Sequence, residues 1–390
     1  MAPSIEDIQA LNGLLDTSLL LLGQMAKTVR STNPETGPSD ATQAATGSLS
    51  TASQAAQVIK GSTSKLSLLI ISEPFTPSAI IKVIQDLVNT GLPLLYGSVQ
   101  AFNRTQYTNT ICCDLADGCA QVFGSLRRLL DLVPRDGKVL PLAQRNGVQG
   151  AGSFSITGML WAACDKITQM ADIGIKGHLI ETAVILRDTL LDQVEELKDW
   201  GEEVSDDEDD EDEDEDEDGS EEATATTSTQ QENETTNGGP GALSDTQAMV
   251  DMLMSDCIKH IPKNDPGQIR PRLAWCIKIF RQATILYSAI IKYRLRALPD
   301  FDEARPVVSK IDELMRALRR LPDEIGELAA AFYELCPASI DELRDQAFLD
   351  IFAITILVLE PWEGERDTFS DWILKFQKDL RAKPEDTQFS

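Results

Sequence analysis

Residues 175–200 read IKGHLIETAVILRDTLLDQVEELKDW. Ile175, Leu179, Ala183, Leu186, Leu190, Val194 and Leu197 recur at steps of three and four, with charged residues between them. A 3.6-residue period puts all seven on one face of an amphipathic helix, whereas a strand would alternate every second residue. The same spacing recurs along the chain. Residues 5–29 place Ile5, Ile8, Leu11, Leu15, Leu19, Leu22, Met25 and Val29 on one stripe. Residues 153–172 do so with Ile156, Leu160, Ala163, Ile167 and Met170, and residues 108–133 with Ile111, Leu115, Val122, Leu126, Leu129 and Val133. Further helices are predicted at 51–71 and 77–105, the latter divided by Gly91 and Pro93. In the second half they are predicted at 244–261, 269–298, 302–321, 323–336, 339–359 and 366–382. Ser244 and Ser339 each open a capping-box pattern. The segment 351–359 is apolar all round, which places the end of its helix at the centre of a bundle. No strand pattern competes, and aromatic residues make up only 6% of 390 residues, so the cores are aliphatic.

Charge divides the chain. Asp206 to Asp218 is thirteen consecutive carboxylates, followed by Ser, Thr, Asn and Gly up to Gly241. Such a run repels itself and buries no apolar area, so it reads as a disordered linker. The fold class is therefore all-α: a helical bundle over 1–200, an acidic disordered linker over 201–243, and a second bundle over 244–390. The net charge is −28, but outside 201–241 there are 44 acidic against 35 basic residues. No basic face is left over to neutralise phosphates, so direct nucleic-acid binding is not expected. Lys278, Arg281, Lys292, Arg294 and Arg296 are interleaved with apolar residues along 269–298 and read as helix-face and helix-end charges.

The seven cysteines include no C-x-x-C pair, and residues 1–30 lack a secretory pattern, so free thiols in a reducing compartment are expected. No apolar stretch reaches the roughly 18 residues needed to cross a bilayer. No phosphate loop, dinucleotide fingerprint, H-E-x-x-H or G-x-S-x-G is present, so no catalytic, cofactor-binding or metal-ligating residue is assigned. Cys112, Cys113 and Cys119 lack a fourth ligand and read as small core residues. His178 reads as a core-edge histidine, and His260 as a helix-end dipole contact. Ser205, ahead of Asp206, Asp207 and Glu208, fits an acidophilic kinase target.

Two short stretches carry a resemblance. They are Ser64-Lys65-Leu66-Ser67-Leu68-Leu69 and Thr157-Gly158-Met159-Leu160-Trp161-Ala162-Ala163-Cys164-Asp165. With the helix–acidic insert–helix layout, they resemble the cyclin-D-binding (Grap- and cyclin-D-interacting) proteins. Lys65, Leu66, Gly158, Trp161, Cys164 and Asp165 are the residues of the match. The resemblance implies a non-catalytic adaptor of cytoplasm and nucleus. It would bind cyclin-like or other helical regulators in cell-cycle or transcription control, without touching DNA or membrane. Trp161 itself, beside Ile156, Leu160 and Ile167, is expected to anchor the core. The rival reading is an acidic chaperone whose carboxylate run captures histones or other basic proteins.

Overall fold

The computed structural model describes residues 4–31, 45–101, 107–146, 152–202, 259–299 and 307–381. Among these it is helical throughout, with no strand. The helices are α1 (Ile5–Ser31), α2 (Ala45–Leu69), α3 (Pro77–Asp86), α4 (Leu92–Ala101), α5 (Asn109–Asp131), α6 (Leu142–Asn146) and α7 (Ser153–Glu202). After the acidic run come α8 (Ile269–Tyr293), α9 (Val308–Tyr333), α10 (Pro337–Leu357) and α11 (Thr368–Arg381).

The stripes are buried where the spacing places them. Leu11, Leu15, Leu22 and Val29 of α1 pack on α5, whose Leu115, Cys119, Val122, Phe123 and Leu126 are buried in turn. Ile5, the first residue of the stripe, is exposed. The Thr108 side chain accepts from the Ile111 N–H and caps α5. The break expected at Gly91 and Pro93 is a π-helical turn over Leu87–Gly91 that separates α3 from α4. Gly91 is needed there because a Cβ would lie 2.9 Å from Ile59 Cγ1. Gly174, at φ 68° and ψ 178°, kinks α7 between the two stripes read in the sequence.

Two boundaries and one burial pattern differ from the sequence reading. α9 runs through Pro322 instead of stopping there. α10 begins at Pro337, with Cys336 before it, so Ser339 lies inside the first turn and not at the cap. Proline is pre-shaped for a first helical position, which outweighs the capping pattern two residues later. The end of α10 is not buried all round: Ile351, Ile354 and Val358 are covered, but Ile356 is exposed. The acidic run, Ser205, the Ser244 capping box and most of the expected helix 244–261 lie outside the described residues. Lys259, His260 and Ile261 are not helical, and the helix end expected just before them lies outside the described residues.

The chain divides into two compact units. The first comprises Met1–Ile185, Tyr287–Leu318 and Ile356–Ile373, and the second Leu186–Leu286, Arg319–Thr355 and Leu374–Ser390. Each draws on both sides of the acidic run, a grouping that periodicity alone does not specify, because a stripe shows that a helix packs but not on which partner. Within the first unit, Asp312 of α9 accepts from the backbone N–H groups of Asn109 (2.8 Å) and Thr110 (3.2 Å), capping α5 from a distant segment. Arg294 is 1% exposed and donates to Asp367, Ser370 and the Val358 carbonyl. It also lies 4.5 Å from the Phe369 ring. This residue, expected to complement a helix end, is instead the polar tie between 287–318 and 356–373. Within the second unit, Trp200 packs edge-on against Tyr333 and donates to the Lys259 carbonyl. Arg272 makes a two-pronged pair with Asp341, both contacts at 2.9 Å.

Candidate functional site

The two stretches that carry the family resemblance lie 90 residues apart, and the fold brings them together. Ser67 on α2 and Thr157 on α7 share a buried hydrogen bond of 3.2 Å. Eight residues further along α7, Asp165 receives the Lys60 ammonium at 2.6 and 2.7 Å. As the α7 number rises the α2 number falls, so the helices run antiparallel. The Thr157 hydroxyl also donates to the Ser153 carbonyl, which satisfies it at the buried seam.

The residues of the match divide between seam and surface. Leu66 and Cys164 are buried. The Cys164 thiol is pushed up to about 12 by burial, with Asp165 adding to the effect and Lys60 opposing it. It is therefore an inert packing group. Lys65, Gly158, Trp161 and Asp165 face outward. Trp161 is 38% exposed, which corrects the expectation of a core anchor. Its place on the helix explains the difference: Leu160 and Ile167 occupy the buried stripe, and Trp161 falls one residue off it.

Phe154, Gly158, Trp161 and Asp165 follow one another at steps of four, three and four, and all are exposed. They make a single outward face of α7. Phe154 is 50% exposed, and a Cβ on Gly158, which lies between Phe154 and Trp161 along the helix, would meet nothing within 4 Å. The bare Cα leaves a gap in the side-chain cover of this face, a notch between two aromatic positions. The Lys60 ammonium lies 6.0 Å from the Trp161 ring, so the notch ends at a charged pair that is itself accessible. On α2, Val58, Lys65 and Leu68 are likewise exposed. No packing inside the protein requires a glycine at 158, although glycine in mid-helix costs about 0.5–1 kcal/mol relative to alanine.

A second arrangement lies on α5 and α7. His178 and Asp114 share a 2.8 Å hydrogen bond, with both side chains about one-fifth exposed. The kink at Gly174 precedes His178 by one turn. The pair lines a cleft of ≈ 410 Å³ with Asp117, Lys166 and Glu181, and Gln169 donates to Glu181 across it. Among the described residues no Ser, Thr or Cys lines the cleft. Cys112 and Cys119 are buried as expected, whereas Cys113 is only half-buried; burial raises the Cys119 thiol, and no metal-holding group of side chains occurs among the described residues. No described helix is long and apolar enough to cross a membrane.

Comparison with known proteins adds one relative and no assignment. An uncharacterized protein of Schizosaccharomyces pombe is 30% identical over 155 residues, which is 40% of this chain and 44% of the relative. The chain thus spans less than half the length of the curated relative it matches. No family model matches, and no solved structure matches.

Sequence reasoning missed Lys60, Asp114 and Asp312. Each acts on a residue more than sixty positions away, and no local pattern marks such a pairing. Trp161 was singled out, but its exposure follows only from where the buried stripe ends.

Proposed function

We propose that the chain is a non-catalytic adaptor that docks helical protein partners on the outward face of α2 and α7. In line with the cyclin-D-binding resemblance, it would serve cell-cycle or transcription control in cytoplasm and nucleus. The observation that carries this reading is the notch at Gly158, between the exposed Phe154 and Trp161 along α7. Exposed aromatics beside a bare Cα suit an approaching side chain or helix ridge, and aromatic anchors dominate binding energy at interfaces. Lys60 and Asp165 at its rim add a polar border that would fix orientation.

A second reading rests on the Asp206–Asp218 run, which would attract histones or other basic proteins through charge alone. One comparison separates the two. The wild-type chain, a chain lacking 201–241 and a Phe154→Ser/Trp161→Ser chain are used side by side to capture proteins. An adaptor keeps its partners without the acidic run and loses them with the double substitution. A chaperone does the reverse, and its captures fall away steeply with salt.

A further inference from the structure

Gly174 bends α7 so sharply that Gln169 and Glu181 share a 2.6 Å hydrogen bond. In a straight helix these two residues would stand about 18 Å apart along the axis. At φ 68° and ψ 178° the bend needs a residue without a Cβ. Together with α5, the two arms of α7 give the ≈ 410 Å³ cleft three walls, all within the first unit. Part of its lining is apolar. Ile167 and Met170 are at most 4% exposed, and a Cβ on Gly118 beside them would touch Ile167 Cγ1 at 3.4 Å. The carboxylates come from two walls. Asp114 and Asp117, three residues apart, share a face of α5, and Glu181 stands on the second arm of α7. Among the described lining residues Lys166 is the one ammonium, and the His178 ring is held by Asp114 at 2.8 Å.

A concave site with a buried apolar part and a few converging polar groups is the form that ligand pockets take. Its charge selects the ligand. Three carboxylates against one ammonium repel an anion, and a wholly apolar ligand would strip water from the carboxylates without replacing its hydrogen bonds. A guanidinium on an aliphatic arm meets both demands. Its planar N–H groups fork onto carboxylates, and the methylene arm lies along Ile167 and Met170. A compact ammonium offers no such fork.

We propose that the α5/α7 cleft binds a guanidinium carried on an aliphatic arm, presented by a free guanidino compound or by an arginine side chain of a protein partner. Asp114, Asp117 and Glu181 receive the charge, and Ile167 and Met170 receive the arm. The site uses no residue of the α2/α7 docking face and does not depend on it.

Cations also gather along Asp206–Asp218 through charge alone, so the test reads the cleft itself. The full chain, labelled at its Ile and Met methyls, is titrated in an NMR experiment. The probes are agmatine, the peptide acetyl-Gly-Arg-Gly-amide, and the same peptide with citrulline, which keeps the shape and loses the charge. The Ile167, Met170 and Ile185 methyls should shift with agmatine and the arginine peptide and stay in place with the citrulline peptide. Tighter binding of agmatine assigns the free compound, and equal or tighter binding of the peptide assigns the side chain. Asp117→Asn combined with Glu181→Gln should weaken both cationic probes at least about tenfold. Ile185→Lys keeps every carboxylate but places a cation at the rim, where Ile185 is 59% exposed, and should weaken them as well. The methyl spectra without probe establish that each variant is folded. Unshifted cleft methyls with both cationic probes, equal shifts with the citrulline peptide, or undiminished binding by a folded variant would overturn the site.

Discussion

The Tyr287 hydroxyl donates a 2.7 Å hydrogen bond to the Leu318 carbonyl. That carbonyl is the one that Pro322, four residues on and inside α9, cannot serve with an N–H of its own. A buried hydroxyl thus takes over a missing helical hydrogen bond, and the helix continues where proline would ordinarily end it.

Tyr287→Phe should therefore cost about 1–2 kcal/mol, the penalty for leaving a buried carbonyl unpaired. In a Pro322→Ala background the helix supplies its own N–H, and the same substitution should cost clearly less. Urea unfolding of the four chains of this cycle gives the coupling between the two positions. Equal costs in both backgrounds would show that Tyr287 does not compensate for Pro322.

Arg294→Leu should destabilise the first unit by about 3 kcal/mol, since it orphans the Val358 carbonyl and strips the counter-charge from Asp367. Asp367→Asn should cost less, because that side chain is 41% exposed. The Arg294 guanidinium beside it, helped by Ser370, holds the Asp367 carboxyl well below its ordinary value of 3.8. A depressed carboxylate stabilises the fold above that ordinary value and loses the contribution as pH falls below it. Acid titration of the melting temperature should show this loss in the wild type and not in Asp367→Asn.

Glu324 behaves in the opposite sense. Burial raises its carboxyl to about 7, and a hydrogen bond shared with Asp350 adds to the shift, while Arg320 opposes it. Glu324 Oε2 accepts no hydrogen bond from a described residue. A carboxyl that holds its proton more tightly when folded loses stability as pH rises from its ordinary 4.5 to about 7. Glu324→Gln, which keeps a neutral donor facing Asp350, should flatten that decline and melt no lower than the wild type at pH 8. A steeper decline in the variant would contradict the shared proton.

Leu160→Asp and Ile167→Asp each place a charge at a side chain that is at most 2% exposed, and should unfold the first unit at a cost of about 4 kcal/mol or more. Trp161→Ser, one residue from Leu160, should shift the melt only slightly. Comparable melts for Leu160→Asp and Trp161→Ser would reverse the assignment of buried and outward faces on α7.

These relationships mark what the sequence discloses. The helices were legible because their apolar residues repeat every three to four positions, and the Gly91–Pro93 break and the division of α7 followed from backbone chemistry. Pro322 misled because its rescue comes from Tyr287, 35 residues earlier. Arg294 looked like a helix-end charge because its partners Val358 and Asp367 are remote in sequence. Of the candidate face, the two short stretches were legible, but not that Ser67 and Thr157 join them, nor that Trp161 faces outward.

Gly158→Leu tests whether the Gly158 notch receives a partner. The substitution fills the notch with a good helix former, so the melt should stay level or rise by about 0.5–1 kcal/mol of stability. Melting temperature and quantitative partner capture are measured on the same preparation, beside the wild type. An equally or more stable chain that has lost the partners held by the wild type is expected. A stable chain with an unchanged partner profile would contradict it.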